Sequence, residues 1–219
     1  MKIEIFSDVL CPWCYIGKRR IRAALEAFAH RDRLEVVWRS FELAPELDRT
    51  PGVTAAQAME QWMDPAAVPA RVRLIKDNGR QEGLELNLER SRPISTFDAH
   101  RLSHLAAHRG QADEILERLF HAYHTEAVNV ADHDVLARLA VEEGLDAGEV
   151  RALLDGDAYA DDVRADERRA RALGVSGVPS VVVDGMCPVP GVMPPAELAS
   201  VLEQAWARGG GRAEAPVEG

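Results

Sequence analysis

Two cysteines three residues apart, Cys11 and Cys14 in the run Cys11-Pro12-Trp13-Cys14, carry the plainest chemistry in the sequence. On a helix this spacing brings both sulfurs onto one face. A thiolate at one can then attack a disulfide, and the other can resolve the mixed disulfide that results. Pro12 suits a first helical position, so Cys11 stands at the helix start, where unpaired N–H groups and the positive dipole end favour a thiolate. Cys11 is therefore the expected nucleophile and is expected to be exposed. Cys14, one turn further in, is expected to be the shielded resolving thiol. Pro12 removes an amide donor and Trp13 adds a bulky ring, and both are expected to border the substrate. Two other uses of the spacing stay open. A zinc site needs two further thiolates or imidazoles, and Cys187 stands alone; two packed, idle cysteines are the other.

The remaining reactive side chains point less sharply. His100, His104 and His108 recur every four residues, a helical stripe whose members sit about 6 Å apart and cannot easily close around one small ion. No metal site is expected there, and His100 is the member expected to face the site. Asp8 is expected to cap the helix rather than tune Cys11. Lys18, Arg19 and Arg20 read as a solvated helix face. Trp38, Trp62 and Trp206 read as core or interface anchors, and Cys187 as an inert thiol on an edge strand.

The elements that must hold the cysteines follow from hydrophobic period. Ile3, Ile5 and Phe6 form a short strand; a helix runs from Pro12 to about His30; Leu34 to Phe41 alternates as a second strand. From Ala44 the chain becomes alanine-rich and charge-laced, predicting helices at Thr54–Met63, Pro65–Asn78, Thr96–Arg109, Ala112–His124, Asp132–Glu143 and Ala147–Leu154, with Gly79, Gly110 and Gly144 as C-caps. A charged helix spans Tyr159–Leu173. Ser180–Val183 is a strand, and Asp184-Gly185 is a hairpin turn to an edge strand at Met186–Val189. A last helix runs from Pro194-Pro195 to Trp206. The fold class is α/β, a βαβ unit completed much later by ββα: residues 1–42 and 165–208 carry the sheet, 43–164 form an inserted helical domain, and 209–219 a disordered tail.

Composition narrows the function classes. With 219 residues, 47% hydrophobic and 28% charged, the chain can bury a core. Lys and Arg total 26 against 36 Asp and Glu, a net charge of −10 that repels a nucleic-acid backbone. Three unevenly spaced cysteines are not a secreted disulfide framework. No apolar run approaches the ~20 residues of a spanning helix, and no export signal opens the chain. A cytoplasmic protein is expected, without cofactor and without membrane or nucleic-acid partner.

Ser7-Asp8-x-x-Cys11-Pro12-Trp13-Cys14-Tyr15-x-Gly17, with Ala99-His100-Arg101-Leu102 and Gly174-Val175-x-Gly177-Val178-Pro179, resembles the DsbA-like thioredoxin superfamily, in particular its FrnE-like branch. The resemblance spans nearly the whole chain outside the tail. It implies a thioredoxin fold with an all-helical insertion, thiol-disulfide oxidoreductase activity on protein or small-molecule substrates, and a cis peptide before Pro179 that sets this loop against Cys11 and offers the Val178 backbone to substrate. Departures from the FrnE-like pattern are Ser95-Thr96 for Asn-Thr, Ala127 where glycine often follows the Thr-Glu pair, and Val182 in place of an aromatic residue. The alternative functions are a glutathione-dependent isomerase or transferase of the kappa-class type, which typically has serine at the nucleophile position and no resolving cysteine, and a non-catalytic binding module.

Overall fold

In the computed structural model, which describes residues 1–210, the chain opens as strand β1 (Lys2–Ser7), helix α1 (Pro12–Ala27) and strand β2 (Glu35–Ser40). β2 runs parallel to β1, in register from Lys2 with Glu35 to Ser7 with Ser40. Strand β3 (Ser180–Val183) pairs antiparallel with the other side of β1, and β4 (Val189–Pro190) with β3, giving the order β2-β1-β3-β4. Between the two halves lie α2 (Ala55–Ala58), α3 (Val68–Gln81), α4 (Phe97–His108), α5 (Ala112–His121), α6 (His133–Glu142), α7 (Ala147–Asp155) and α8 (Ala160–Ala172); α9 (Pro195–Ala205) follows the sheet. This is the thioredoxin-like βαβ…ββα arrangement with a mostly helical insertion.

Period-two alternation decides what each sheet face meets. Ile3 and Ile5, with Val181 and Val183, pack against Ile21 and Phe28 of α1 and Leu198 and Leu202 of α9. Phe6 and Val182 on the opposite face meet Ala170 of α8 and Val175. Glu4 shares that second face and is buried, its carboxylate held by Arg39 at 2.8 Å and Arg169 at 2.6 Å. A buried charge is tolerable only with such partners. Helix α8 thus serves the sheet, and the division at 164/165 falls inside it. The insertion has its own core, built on Leu102, Leu119, Tyr123, Leu136, Leu139 and Val150.

Several boundaries differ from the sequence reading. The helix expected over Thr54–Met63 is only the short α2, passing at once into a 3-10 turn over Met59–Gln61. α3 runs past Gly79, which is therefore no C-cap: a Cβ there would lie 2.7 Å from Leu86 Cδ1, so the glycine makes room for a core leucine. Gly110 and Gly144 do take the left-handed conformation expected of caps, at φ 73° and 89°. α5 stops at His121 and continues as a π turn over Ala122–Glu126, which Ala127 ends at φ 60°. That strained conformation explains why glycine suits the position. The Asp184-Gly185 turn forms, closed by Met186 N–H to Val183 C=O at 2.9 Å, but ladder pairing resumes only at Val189. Cys187 and Pro188 sit between, because proline cannot donate to the ladder, so Cys187 is exposed beside the edge strand rather than on it. Gly209 and Gly210, expected in the disordered tail, close a final π turn (Trp206–Gly210); the rest of that tail lies outside the described residues.

The basic run on α1 is not the solvated face expected of it. Lys18 is 2% exposed, with its ammonium 2.8 Å from Asp113 and 3.2 Å from Glu117 on α5. Arg19 grips both oxygens of Glu117, one at 2.6 Å, and the Tyr15 hydroxyl donates to the same carboxylate at 2.8 Å. Arg20 reaches Glu82 at 2.7 Å and the Val192 carbonyl at 2.7 Å. Three consecutive cations therefore bind α1 to the insertion and to the segment after β4. Burial would raise the Glu117 pKa, but the Arg19, Lys18 and Tyr15 contacts outweigh it and bring it down to about 2.

Two outcomes are expected. A carboxylate with a depressed native pKa contributes stability above its unfolded value of 4.5 and loses it as pH falls through about 2. Urea midpoints should therefore fall more steeply with acidification in this window for the native chain than for Glu117→Gln, which should lose ~1–3 kcal/mol at neutral pH. The second concerns the contact of α1 with the Pro179 loop, where a Cβ on Gly17 would lie 2.8 Å from Pro179 Cγ and 3.0 Å from the Gly191 carbonyl oxygen. Gly17→Ala should cost ~1–3 kcal/mol by urea denaturation, whereas Gly52→Ala, which meets nothing within 4 Å, should cost nothing.

Candidate active site

Cys11 is the N-cap of α1, at φ −87° and ψ 112°, with Pro12 at the first helical position. Its N–H donates to the Asp8 carbonyl at 3.1 Å, and its own carbonyl accepts the Cys14 N–H at 2.9 Å. The loop before β3 closes over it: the Val178–Pro179 bond is cis, as the resemblance implies, and the Cys11 thiol donates to the Val178 carbonyl at 3.6 Å. Gly17 and Gly191 flank the Pro179 ring, and Gly191 N–H donates to the Pro179 carbonyl at 2.8 Å.

The two cysteines are free thiols. Cys14 is 1% exposed, and burial first, then the Cys11 sulfur beside it, push its pKa well above the ordinary thiol range. Cys11 is also buried, at 6%, which corrects the expectation of an exposed nucleophile. The reason is tertiary: the cis-proline loop covers one side of the sulfur and the insertion covers the other.

Two concavities border the Cys11-Pro12-Trp13-Cys14 segment. One, of about 570 Å³, is lined by Trp13, Val178, Pro179, Pro188 and Val189, with the Arg71 guanidinium 5.4 Å from the Trp13 ring centre. The other, of about 210 Å³, has Cys11 and Pro12 against Leu10, Met59, Leu88, Ser91, Tyr123 and His124 of the insertion. Pro12 and Trp13, expected together at the substrate, therefore face different hollows. Sequence reasoning passed over His124 because its helix breaks into the π turn just before it. That turn swings the imidazole onto Phe120 and Tyr15, at 6.1 and 6.0 Å between ring centres. Burial lowers the His124 pKa to about 3, against weaker opposing effects of the Val9 and Cys11 backbones and Asp8, so the ring is neutral at physiological pH.

Asp8 does not cap α1. Its carboxylate accepts Leu10 N–H at 3.2 Å and Leu43 N–H at 2.7 Å, tying the Cys11 loop to the segment leaving β2. His100 lies behind it, 3% exposed and 3.4 Å from Asp8 Oδ1, and lines neither hollow at the cysteines. The other histidines of the stripe go elsewhere, His104 to Ser40 at 3.2 Å and His108 to the edge of Tyr159. Arg101 from the same segment donates to the Ala158 and Gly156 carbonyls at 2.8 and 2.7 Å, a structural bond to the turn before α8. Trp206 stacks on His30 at 4.5 Å, as an anchor should. Trp62 is 64% exposed and does not anchor the core.

No helix among the described residues is long and apolar enough to cross a membrane. The Bacillus subtilis protein YwbO is 28% identical over 191 residues, 86% of this chain and 89% of its own. The crystal structure of a probable DsbA oxidoreductase from Streptomyces coelicolor superposes with a TM-score of 0.90 at 40% identity, covering 99% of this chain and 93% of that one. A 2-hydroxychromene-2-carboxylate isomerase shares the fold, with a TM-score of 0.73 at 14% identity, covering 98% of this chain and all of that one. The family model of the DSBA-like thioredoxin domain matches residues 2–203. With nearly the whole of both sheet halves and the insertion inside that match, this chain belongs to the DsbA-like thioredoxin family.

Proposed function

We propose that this chain is a thiol-disulfide oxidoreductase working through Cys11 and Cys14, in the cytoplasm, on protein or small-molecule disulfides. The observation that carries the reading is the stacked pair itself. Cys11 stands at the helix start against the Val178 carbonyl, with Cys14 directly behind it as a thiol held protonated by burial. In this scheme the Cys11 thiolate attacks one sulfur of the substrate, forming a mixed disulfide and expelling the other sulfur as a thiolate, which takes a proton. Cys14 then gives up its proton and attacks the Cys11 sulfur. The Cys11–Cys14 disulfide forms and the second thiolate leaves, so two electrons pass from protein to substrate. An external thiol restores the dithiol. A compartment that keeps thiols reduced favours this direction.

The likeness to an isomerase concerns the fold alone at 14% identity. An isomerase of the kappa-class type has no use for a resolving thiol behind the first position, and Cys14 occupies that place. The FrnE-like affinity rests on the sequence motifs.

Cys14→Ser should still attack but fail to resolve, so mixed disulfides through Cys11 accumulate on non-reducing gels and release their partner with dithiothreitol. Cys11→Ser should trap nothing, and Cys187→Ser, remote in role, should turn over like the native chain. Trapping by Cys11→Ser but not by Cys14→Ser would reverse the two roles. If the purified dithiol protein reduces no disulfide at all, the oxidoreductase reading fails.

A further inference from the structure

The 210 Å³ hollow beside Cys11 combines two features that together define an occupant. Its walls are apolar, from Leu10, Leu43, Met59 and Leu88. Neither this hollow nor the larger one sharing its Leu10–Leu43–Trp62 rim has a Lys or Arg in its lining, while the outer one carries Glu46 and Asp48. The His124 ring is neutral, and Asp8 lies close enough to act on it electrostatically.

We propose that this hollow is a specificity subsite for the substrate half that becomes bonded to Cys11, and that it selects an uncharged, largely apolar thiol over an anionic one. This rests on the oxidoreductase reading and deepens it. An apolar group gains from leaving water here. A carboxylate would enter past Glu46 and Asp48 and come to rest in an apolar wall with no cation to receive it, the least favourable burial of a charge. The chemistry is the first half-reaction above: Cys11 takes one substrate sulfur into the mixed disulfide while the other leaves as a thiolate. The subsite acts only on which half stays.

The test uses the full-length dithiol protein and two disulfides of similar size, bis(2-hydroxyethyl) disulfide and 3,3′-dithiodipropionate, with the rate of Cys11–Cys14 disulfide formation followed by acid quench, alkylation and mass spectrometry. The uncharged disulfide should react about tenfold faster or more. Raising the salt, which screens the net charge of the whole surface, should leave most of that preference in place. Ala58→Leu, on the short helix α2 that lines both hollows, should slow the uncharged disulfide several-fold and collapse the preference, while its rate with iodoacetamide, a reagent too small to need the hollow, stays that of the native chain. Equal rates for the two disulfides, a preference abolished by salt, or one untouched by Ala58→Leu would each overturn the subsite while leaving the oxidoreductase standing. No reaction with either disulfide, in a protein whose Cys11 still alkylates, would overturn the oxidoreductase reading itself.

Discussion

Pro179 lies between two glycines, and neither of them has room for a methyl group. A Cβ on Gly17 would meet its ring at 2.8 Å and one on Gly191 at 2.9 Å. That close approach brings the loop before β3 down onto α1 and sets the Val178 carbonyl against the Cys11 sulfur. The sheet register cooperates, since Ser180 pairs with both Phe6 of β1 and Pro190 of β4 and so fixes where the loop must begin. If the contact loosened by the width of one carbon, the sulfur would lose its lid while every element kept its secondary structure.

The same helix is held on its other sides by charge. Glu117 receives Arg19, Lys18 and Tyr15 from α1 and is itself rooted in α5 of the insertion. An exposed ion pair of this kind would matter little, but with Lys18 almost wholly enclosed, each partner is required to satisfy the others. The consequence for the site is positional. α1 is shared between sheet and insertion, so the hollows on either side of Cys11 keep a fixed shape with respect to the sulfur. Asp8 works at shorter range, fastening the turn before Cys11 to the chain leaving β2.

Enclosure also distinguishes the two cysteines. Cys14 is buried so completely that its charged form is disfavoured. Cys11 is nearly as enclosed yet borders a hollow whose walls come from both the sheet-bearing half and the insertion. The thioredoxin half carries the cysteine pair, and residues of the helical half line the hollow at Cys11.

What the sequence determined by itself was local: the helix that begins at Pro12, the strands at Ile3–Phe6 and Ser180–Val183, the glycine caps at Gly110 and Gly144, and the sulfurs one turn apart. Propensity, period and spacing act over a few residues, so these were legible, and the motifs around them were specific enough to identify the family. Tertiary structure decided the rest. Lys18, Arg19 and Arg20 look like a solvated face until α5 brings Glu117 to them, and Gly79 looks like a cap until Leu86 needs its space. His100 turns out to lie buried behind Asp8, whereas His124, unremarked in the sequence, reaches the hollow at Cys11 through a π turn that no hydrophobic period announces. All but the Gly79–Leu86 contact depend on partners tens of residues away, and burial by distant partners is a property of the packed chain that leaves no trace in the spacing of its residues.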